Sequence, residues 1–448
     1  MMEKKAALLF LILSLVFFIS CSKVDTQSKE GAVGETVPTE QMIQEQEILE
    51  RQQKESLAIQ SYVQGLDPIH RYSQLFLVNL EGNLDFYPVE FLQWEEKEEQ
   101  PLVPGGYIFF SYNMAKTPRE VAGFTASIQS FCQEQGFVPP LLTVDQEGGM
   151  VNRLRDITSS LPSAQSVAQT MSVAEAQQLY FLQAVQMRQL GFHLNLAPVA
   201  EATSIYNQEF LDTRSYGDLS VMEGYVAAAI CGFQQAGLGA VAKHFPGNTN
   251  DDPHTGLPEI PLNQEELQEL YLEPFRRILE KGEPWGLLMS HARTSAHDPE
   301  NPACLSHFWV TKKVREDFGY QGLIFSDDIF MAALEKNGFP PERAVVMAIE
   351  AGVDVIMLSE KKFGSVLKLL LNKSQEDPEF KSLLDASVER ILLAKVRAGL
   401  MDFQEGENGL TLVSACDENG FASWNEKEFQ ASYAQGQELY AAAFGDGL

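Results

Sequence analysis

The stretch "GAVAKHFPGNTNDDPHTGLP", residues 239–258, begins as a strand and ends as a cluster of chemically active side chains. Its first residues are small and apolar, which predicts a buried strand. From Lys243 onward it holds two histidines, two aspartates, two asparagines, a lysine and three prolines. Ionisable residues at the carboxyl end of a buried strand are typical of ligand sites in parallel α/β folds.

Seven other segments begin with an apolar run, and most of them end in polar or ionisable residues. The eight predicted strands are residues 75–80, 106–111, 140–147, 192–198, 239–246, 285–291, 322–328 and 353–359. Segments with helical periodicity, such as "PERAVVMAIEAG", lie between them. Eight strand–helix units predict an α/β fold with a (β/α)8 TIM-type barrel, whose active site forms at the C-terminal ends of the strands. A doubly wound open sheet is the alternative.

Composition narrows the class of protein. The chain has 448 residues, of which 45% are hydrophobic and 21% charged, as in a globular protein. The formal net charge of −29 argues against nucleic acid as a partner. We expect a monomer.

The first residues have the features of a bacterial lipoprotein signal. Two lysines, Lys4 and Lys5, precede an apolar run from Ala6 to Ile19, and Ser20 precedes Cys21. We therefore expect a signal peptide over residues 1–20 and a lipid on Cys21, which places the protein in the cell envelope, on the periplasmic or outer face of a membrane. A plain signal peptide or an N-terminal anchor is the alternative.

Changes in composition divide the rest of the chain. The segments expected after the signal peptide are a polar tether with helix from about Glu40 (21–60), a catalytic barrel (61–400) and an extension of unknown role (401–448). The cysteines after Cys21 form no CxxC pair and match no zinc motif, and no disulfide that staples the fold is expected.

The loop at 243–258 permits several kinds of site. His244 and His254 with an aspartate have the ligand types of a zinc site, but their spacing matches no metal motif. The segment lacks the glycine pattern of a phosphate-binding loop, and a merely structural polar turn is a further alternative. In Asp252-Pro253-His254, a carboxylate two residues from a histidine is able to orient the ring for proton transfer near neutral pH. No metal and no other cofactor are predicted.

The order of several motifs resembles glycoside hydrolase family 3, and most closely its single-domain β-N-acetylglucosaminidases. The motifs are "LLTVDQEGGMVNRL", "LNLAPV", "TRSYG", "AVAKHFPG", the Asp-x-His triplet, "PACLS" and "GLIFSDDIFMAAL". The resemblance covers roughly residues 65 to 400. It implies a retaining exo-β-N-acetylglucosaminidase that removes terminal GlcNAc from envelope-derived or chitin-like oligosaccharides. Peptidoglycan turnover would be a setting for such an enzyme.

The resemblance also implies roles for particular residues. Asp327 matches the family nucleophile, which forms a covalent glycosyl-enzyme. His254 matches the proton donor and Asp252 its partner, with Asp251 as an alternative partner. The residues that match substrate-binding positions are Asp145, Arg153, Arg214, Lys243 and His244. His291 is expected to support the pocket.

Some residues depart from the family pattern. Met150 stands where an arginine is usual, Asn248 follows Gly247, Pro253 separates the Asp-x-His pair, and the loop looks about two residues shorter. These departures leave the geometry of the loop open. The alternative functions are a family-3 β-glucosidase or xylosidase, a GlcNAc phosphorylase, and an inactive sugar-binding lipoprotein.

Overall fold

A computed structural model describes residues 40–95, 98–251, 256–407, 409–415 and 424–445. The signal peptide, Cys21, the part of the expected tether before Glu40, and the Asp252–His254 triplet lie outside the described residues. The chain separates into two compact units between Lys54 and Glu55, and the barrel belongs to the second unit, Glu55–Leu448. Among the described residues, none of the helices combines the length and apolar character of a membrane span.

The central sheet has eight parallel strands, and each of the eight predicted segments contains one. They are β1 (Phe76–Val78), β2 (Gly106–Phe109), β3 (Leu141–Val144), β4 (Leu194–Asn195), β5 (Gly239–Phe245), β6 (Gly286–Met289), β7 (Leu323–Phe325) and β8 (Ile356–Leu358). Pairing runs in order from β1 to β7, and β8 pairs with β1. Because both faces of such a sheet are covered, the strands are continuous apolar runs rather than alternating ones.

The seam between β7 and β8 closes the sheet into a barrel. A parallel bridge joins Phe325 to Val355. Beside it, the fully buried Asp354 accepts hydrogen bonds from the Ile324 amide at 2.9 Å, from Arg315 and from Arg390. A buried carboxylate requires such partners. The predicted (β/α)8 barrel is therefore confirmed, and the open sheet is excluded.

Helices surround the barrel between most strands. The α-helices are Glu40–Gly65, Pro68–Ser73, Pro118–Gln135, Ala164–Thr170, Val173–Gln189, Gln208–Leu211, Leu219–Gln235, Gln264–Leu267, Glu273–Gly282, Ala332–Lys336, Pro341–Ala351, Gly364–Glu376, Pro378–Arg397 and Glu426–Phe444. Two π-helical segments are Gln268–Leu272 and Phe308–Asp317. The expected helix near Glu40 and the expected C-terminal helix are both present.

The connection from β1 to β2 departs from the repeating strand–helix pattern. In its described part it contains an antiparallel pair, Phe91–Leu92 with Gln100–Pro101, and no helix. Prolines 88, 101 and 104 interrupt this segment, and proline disfavours a helix interior. The other short pairs are Gln146–Gly148 with Val151–Asn152, Glu259–Ile260 with Arg293–Thr294, and Met401–Gly406 with Gly409–Ser414.

The C-terminal extension packs on the barrel. Its helix, Glu426–Phe444, lies against the helix Val173–Gln189: the Asn425 amide donates to Gln189 Oε1 at 2.9 Å, and Gln189 Nε2 donates to Glu428 at 2.8 Å. Gly436 lets the C-terminal helix approach Ser159 closely, because a Cβ at position 436 would lie 2.3 Å from Ser159 Oγ. The helix therefore covers one side of the barrel wall.

A lysine is buried at the N-terminal end of the barrel strands. Lys395 is fully buried, and its Nζ donates to Gln74 Oε1 at 2.5 Å, just before β1. Burial lowers the pKa of Lys395 to about 7, because the charged form is poorly solvated there, while Cys132 has a small opposing effect.

This lysine should make stability depend on pH. The pKa of Lys395 in the folded protein lies below the unfolded value of about 10.4, so the unfolded chain binds more protons between these two values. The free energy of unfolding therefore rises between about pH 7 and pH 10, by at most about 1.4 kcal/mol per pH unit. We expect Lys395→Met to be more stable than the natural protein near pH 7, with the difference shrinking toward pH 10. Urea unfolding at several pH values measures it. The exposed Lys368→Met is the control, and an equal response of both variants would contradict the effect.

Candidate active site

Three predicted site residues come from alternate strands of the barrel. Asp145 follows β3, Lys243 lies in β5 and Asp327 lies just after β7. Alternate strands of a (β/α)8 barrel direct side chains into the same layer. The structure therefore brings residues that are far apart in the sequence to one place at the C-terminal end of the barrel.

A network of four charged groups forms one side of this site. Lys243 Nζ lies 2.6 Å from Asp145 Oδ1 and 2.6 Å from Glu147 Oε1. Arg214 donates to both oxygens of Glu147, from Nε at 2.8 Å and from Nη2 at 2.9 Å. An ammonium has three N–H donors, so one N–H of Lys243 has no partner among the residues that the structure describes.

The two carboxylates of this network titrate in opposite directions. Burial alone would raise the pKa of Glu147, but Lys243 and Arg214 outweigh it and hold that pKa below its usual range. The pKa of Asp145 is raised, mainly by burial and also by the charge of Glu147, against the opposing effect of Lys243. Glu147 is thus the firmly ionised member, and Asp145 is the one that takes a proton first as the pH falls.

The hairpin after β3 places Asp145 and Glu147. Its turn contains Gly148 and Gly149, both at positive φ (98° and 56°). A Cβ on Gly148 would lie 2.2 Å from the Pro162 carbonyl oxygen, and one on Gly149 would lie 2.7 Å from Ser163 Cβ. Only glycine permits this turn to pack there, so the "DQEGG" motif combines two acidic side chains with the glycines that position them.

Arg153 has unused hydrogen-bonding capacity. Its guanidinium lies over the Phe110 ring, 5.7 Å from the centroid. Its Nε is buried and has no hydrogen-bond partner among the residues that the structure describes. A buried donor without a partner is costly, which is consistent with the predicted role of Arg153 in holding a ligand.

The carboxylate of Asp327 is surrounded by positive and hydrogen-bonding groups. Burial would raise its pKa, but the protonated forms of His291 and His244, the Asp328 amide and Lys243 outweigh it, so the pKa lies below its usual value. The Asp328 amide donates to Asp327 Oδ1 at 2.8 Å. Asp327 is therefore an anion at neutral pH, as a carboxylate nucleophile requires.

Asp328 has a different environment from its neighbour. Its Oδ1 accepts hydrogen bonds from the Phe330 amide at 3.0 Å and from the Ser359 amide at 2.9 Å. These bonds fix the chain that follows β7 and connect it with the end of β8. Asp328 thus supports the backbone on which Asp327 stands.

His291 supports the same segment from β6. Its Nε2 lies 2.9 Å from the Asp328 carbonyl oxygen, which can only accept, so Nε2 donates. Its Nδ1 lies 3.1 Å from Cys304 Sγ. Burial raises the pKa of the Cys304 thiol well above its usual value, with Asp327 adding to the effect, so the thiol stays protonated and donates to Nδ1. Both ring nitrogens are occupied, which is consistent with the expected supporting role.

His244 pairs with a carboxylate that sequence reasoning missed. Its Nδ1 lies 2.7 Å from Glu201 Oε1, and Glu201 is buried in the loop that follows β4. Glu147 was also missed as a partner of Lys243 and Arg214. The available signal was an acidic residue at the end of a predicted strand for Glu147 and just after one for Glu201, but their partners lie on other parts of the barrel.

The structure describes no metal site here. Among the described residues, no group of three or more histidine, cysteine, aspartate or glutamate side chains has the arrangement to hold an ion. His254 and Asp252, which the sequence predicted as the proton-transfer pair, lie outside the described residues. The chain on either side of them, at Asp251 and Gly256, adjoins β5 at the same end of the barrel.

Comparison with known proteins finds a matching domain family and relatives of similar sequence. Residues 92–394, well over half of the chain, match the Glycosyl hydrolase family 3 N terminal domain. A β-hexosaminidase of Alkalilimnicola ehrlichii is 33% identical over 267 residues, which cover 57% of this chain and 73% of that protein.

Two solved structures have the same barrel. A glycoside hydrolase family 3 β-N-acetylglucosaminidase from Paenibacillus sp. str. FPU-7 has a TM-score of 0.68 and 26% identity, covering 85% of this chain and 69% of that one. A fungal multi-domain GH3 β-N-acetylglucosaminidase has a TM-score of 0.71 at 24% identity and is similar in fold; the chain spans 43% of its length. From the matched domain and the barrel, the chain belongs to glycosyl hydrolase family 3.

Proposed function

We propose that the chain is a retaining exo-β-N-acetylglucosaminidase, which hydrolyses terminal non-reducing β-linked GlcNAc. The observation that carries this proposal is the ionised carboxylate of Asp327, held after β7 beside Lys243 and His244 at the C-terminal end of the barrel. The similarity to proteins named β-hexosaminidase and β-N-acetylglucosaminidase supports the choice of sugar.

The reaction proceeds in two displacements. In the first, an oxygen of Asp327 bonds to the anomeric carbon as the bond to the leaving oxygen breaks, and His254 gives that oxygen a proton. In the second, His254 takes a proton from water, the water oxygen bonds to the anomeric carbon, and Asp327 leaves as a carboxylate. Asp252 orients His254. The roles of His254 and Asp252 rest on the Asp-x-His sequence.

The charged network holds the sugar. In the described part of the chain, Lys243 has one N–H and Arg153 has its Nε–H without a partner, and Asp145 is partly accessible. Arg214 has two donors engaged with Glu147 and would reach a sugar through Nη1. Donors and acceptors in fixed positions suit the several hydroxyl groups of a single terminal sugar.

The substrate class is tested directly with the protein lacking residues 1–21. Aryl β-N-acetylglucosaminide, aryl β-glucoside and aryl β-xyloside are compared, each with and without phosphate. The proposal expects preference for the acetylated sugar and no dependence on phosphate. Stimulation by phosphate would indicate a phosphorylase. Preference for the glucoside or the xyloside would indicate a family-3 β-glucosidase or xylosidase. No activity on any of the three sugars would indicate an inactive sugar-binding protein.

The role of His254 predicts an unequal effect on different leaving groups. His254→Ala should reduce kcat/KM by about 10²- to 10⁴-fold for chitobiose, whose leaving oxygen needs a proton. An activated nitrophenyl glycoside should lose much less in the first step, because its leaving group departs unprotonated. Steady-state kinetics on both substrates measure the difference. Equal losses would contradict the assignment, and Asp251→Asn serves as the control for the alternative partner.

We propose further that the enzyme acts in the cell envelope on muropeptide-derived or chitin-like fragments, anchored by a lipid on Cys21. This proposal rests on the apolar run that ends at Ser20-Cys21 and on the polar segment that follows it. Under it, residues 61–400 are the catalytic domain. Labelling of cells with palmitate should mark the natural protein but not Cys21→Ser, and equal labelling would contradict it.

A further inference from the structure

The carboxylate of Glu201 is the centre of a hydrogen-bonded cluster beside the candidate site. Its side chain is 2% exposed. Its Oε1 faces His244 Nδ1 at 2.7 Å, the His244 amide at 3.3 Å and Asn248 Nδ2 at 3.1 Å, and its Oε2 faces the Asn248 amide at 2.7 Å. A buried charge with this many partners is organised around one segment of chain, residues 244–248.

We infer that Glu201 is a positioning residue, which holds His244 with the proton on Nδ1 so that Nε2 faces the sugar as a hydrogen-bond acceptor. The inference deepens the proposed function and rests on it for the identity of the sugar. Glu201 itself has no contact with substrate in this account. It acts through His244 and through the start of the loop.

The state of the ring follows from the donors around Glu201. Three N–H groups, from the His244 amide and both nitrogens of Asn248, point at its two oxygens, and such donors stabilise the ionised carboxylate. An ionised carboxylate only accepts hydrogen bonds. His244 Nδ1 must therefore be the donor, and in the neutral ring the lone pair lies on Nε2.

Nε2 is the ring nitrogen of His244 that has no hydrogen-bond partner among the described residues. Among the described residues, the hydrogen bond of the ring is made through Nδ1, and the side chain of His244 is 11% exposed. In its protonated form the ring helps to lower the pKa of the Asp327 carboxyl, after the larger effect of His291 and against burial, so His244 lies near Asp327. Nε2 is therefore the ring nitrogen that we assign to a sugar hydroxyl.

Lys243 and His244 then offer opposite hydrogen-bonding groups. The ammonium of Lys243 only donates, whereas Nε2 of a neutral His244 only accepts. A sugar hydroxyl is both a donor and an acceptor, so one that bonds to Nε2 must give its proton to the ring. A fluorine in place of that hydroxyl only accepts, and it would face the lone pair of Nε2 without a bond.

The same carboxylate fixes the beginning of the loop that leads to Asp252 and His254. Tyr271 donates its hydroxyl to the Asn248 carbonyl oxygen at 3.0 Å. Gly247 has a φ of 145°, and a Cβ there would lie 2.4 Å from the Tyr271 ring. Glu201 accepts from the amide and side chain of Asn248, and Tyr271 donates to its carbonyl oxygen. The start of the loop is therefore fixed at Asn248.

The first test reads the tautomer without using activity. In ¹⁵N-labelled protein, the long-range imidazole spectrum at alkaline pH distinguishes a proton on Nδ1 from one on Nε2, and loss of one signal set in His244→Gln assigns the ring. We expect the proton on Nδ1. A neutral ring with its proton on Nε2 would overturn the inference whether or not the proposed function holds.

The second test pairs enzyme variants with modified sugars. Aryl β-N-acetylglucosaminides carrying fluorine at position 3, 4 or 6 are compared with the parent sugar. One of the three should lose about tenfold or more in kcat/KM with the natural enzyme. Glu201→Ala should remove most of that selectivity, because the ring is then free to change tautomer, whereas Glu201→Gln should retain it through the amide oxygen.

A matched control separates positioning from general stability. Glu90, in the connection between β1 and β2, also accepts two backbone hydrogen bonds, from the Phe363 and Gly364 amides. Glu90→Ala should lower the unfolding midpoint, because both bonds are lost, without changing the hydroxyl-to-fluorine ratio. An unchanged ratio in Glu201→Ala would overturn the inference, whereas inactivity of the natural enzyme on every acetylated sugar would overturn the proposed function and leave the spectrum as the deciding test.

Discussion

Replacement of Asp327 with asparagine should reduce turnover of an aryl β-N-acetylglucosaminide by at least about a thousandfold. The asparagine amide has the same shape but is neutral, so it does not form the glycosyl-enzyme. Its Oδ1 still accepts the Asp328 amide, which donates to Asp327 at 2.8 Å, so the fold should be retained. Single-turnover kinetics and circular dichroism measure the two effects separately.

The neighbouring carboxylate provides the control for this variant. Asp328 Oδ1 accepts two backbone amides, from Phe330 and Ser359, and the oxygen of an asparagine accepts them equally. Asp328→Asn should therefore keep most of the activity. If Asp327→Asn turned over substrate as fast as Asp328→Asn, the nucleophile would be another residue.

Lys243→Met should both destabilise the barrel and impair binding. The ammonium lies between Asp145 and Glu147, and its removal leaves two carboxylates together with only Arg214 to balance Glu147. Breaking a buried charge pair by removing one partner costs about 3–5 kcal/mol. Urea unfolding should show a loss of this size, and kcat/KM should fall because a sugar-binding donor is missing.

A double variant tests the cause of that loss. Lys243→Met combined with Asp145→Asn removes one of the two uncompensated charges, so it should recover part of the free energy of unfolding without recovering activity. A single variant within about 0.5 kcal/mol of the natural protein would show that the network is too well solvated to matter. A double variant less stable than the single one would contradict the charge-repulsion account.

The strands could be predicted from the sequence because their signal is local. Each barrel strand is a short apolar run bounded by polar or turn residues, and all eight predicted segments contain one. The connection between β1 and β2 was harder, because its composition allows both a helix and the short antiparallel pair that forms. Prolines in that segment were the available signal.

The partners of the site residues could not be predicted in the same way. Lys243 and Asp145 are 98 positions apart, Arg214 and Glu147 are 67 apart, and His244 and Glu201 are 43 apart. Barrel closure creates these pairs, and no short pattern contains them. A motif indicates which residue types meet at a strand end, but the hydrogen bonds that set charge and tautomer depend on other strands.

The resemblance and the structure contribute different parts of the account. The motifs named Asp145, Lys243 and Asp327 as residues of one site, and the barrel shows them on alternate strands in one layer. The structure adds Glu147 and Glu201, whose carboxylates pair with residues that the motifs named, Glu147 with Lys243 and Arg214 and Glu201 with His244. The proton-transfer pair at Asp252 and His254 stays a prediction from its sequence.

The most direct test of the central claim is to trap the covalent intermediate. The natural enzyme is incubated with 5-fluoro-N-acetylglucosaminyl fluoride, digested with protease, and examined by peptide mass spectrometry. The account predicts a single sugar adduct on Asp327, in the peptide that contains "FSDDIF". An adduct on another residue, or steady turnover to a product of inverted configuration with no adduct, would contradict it.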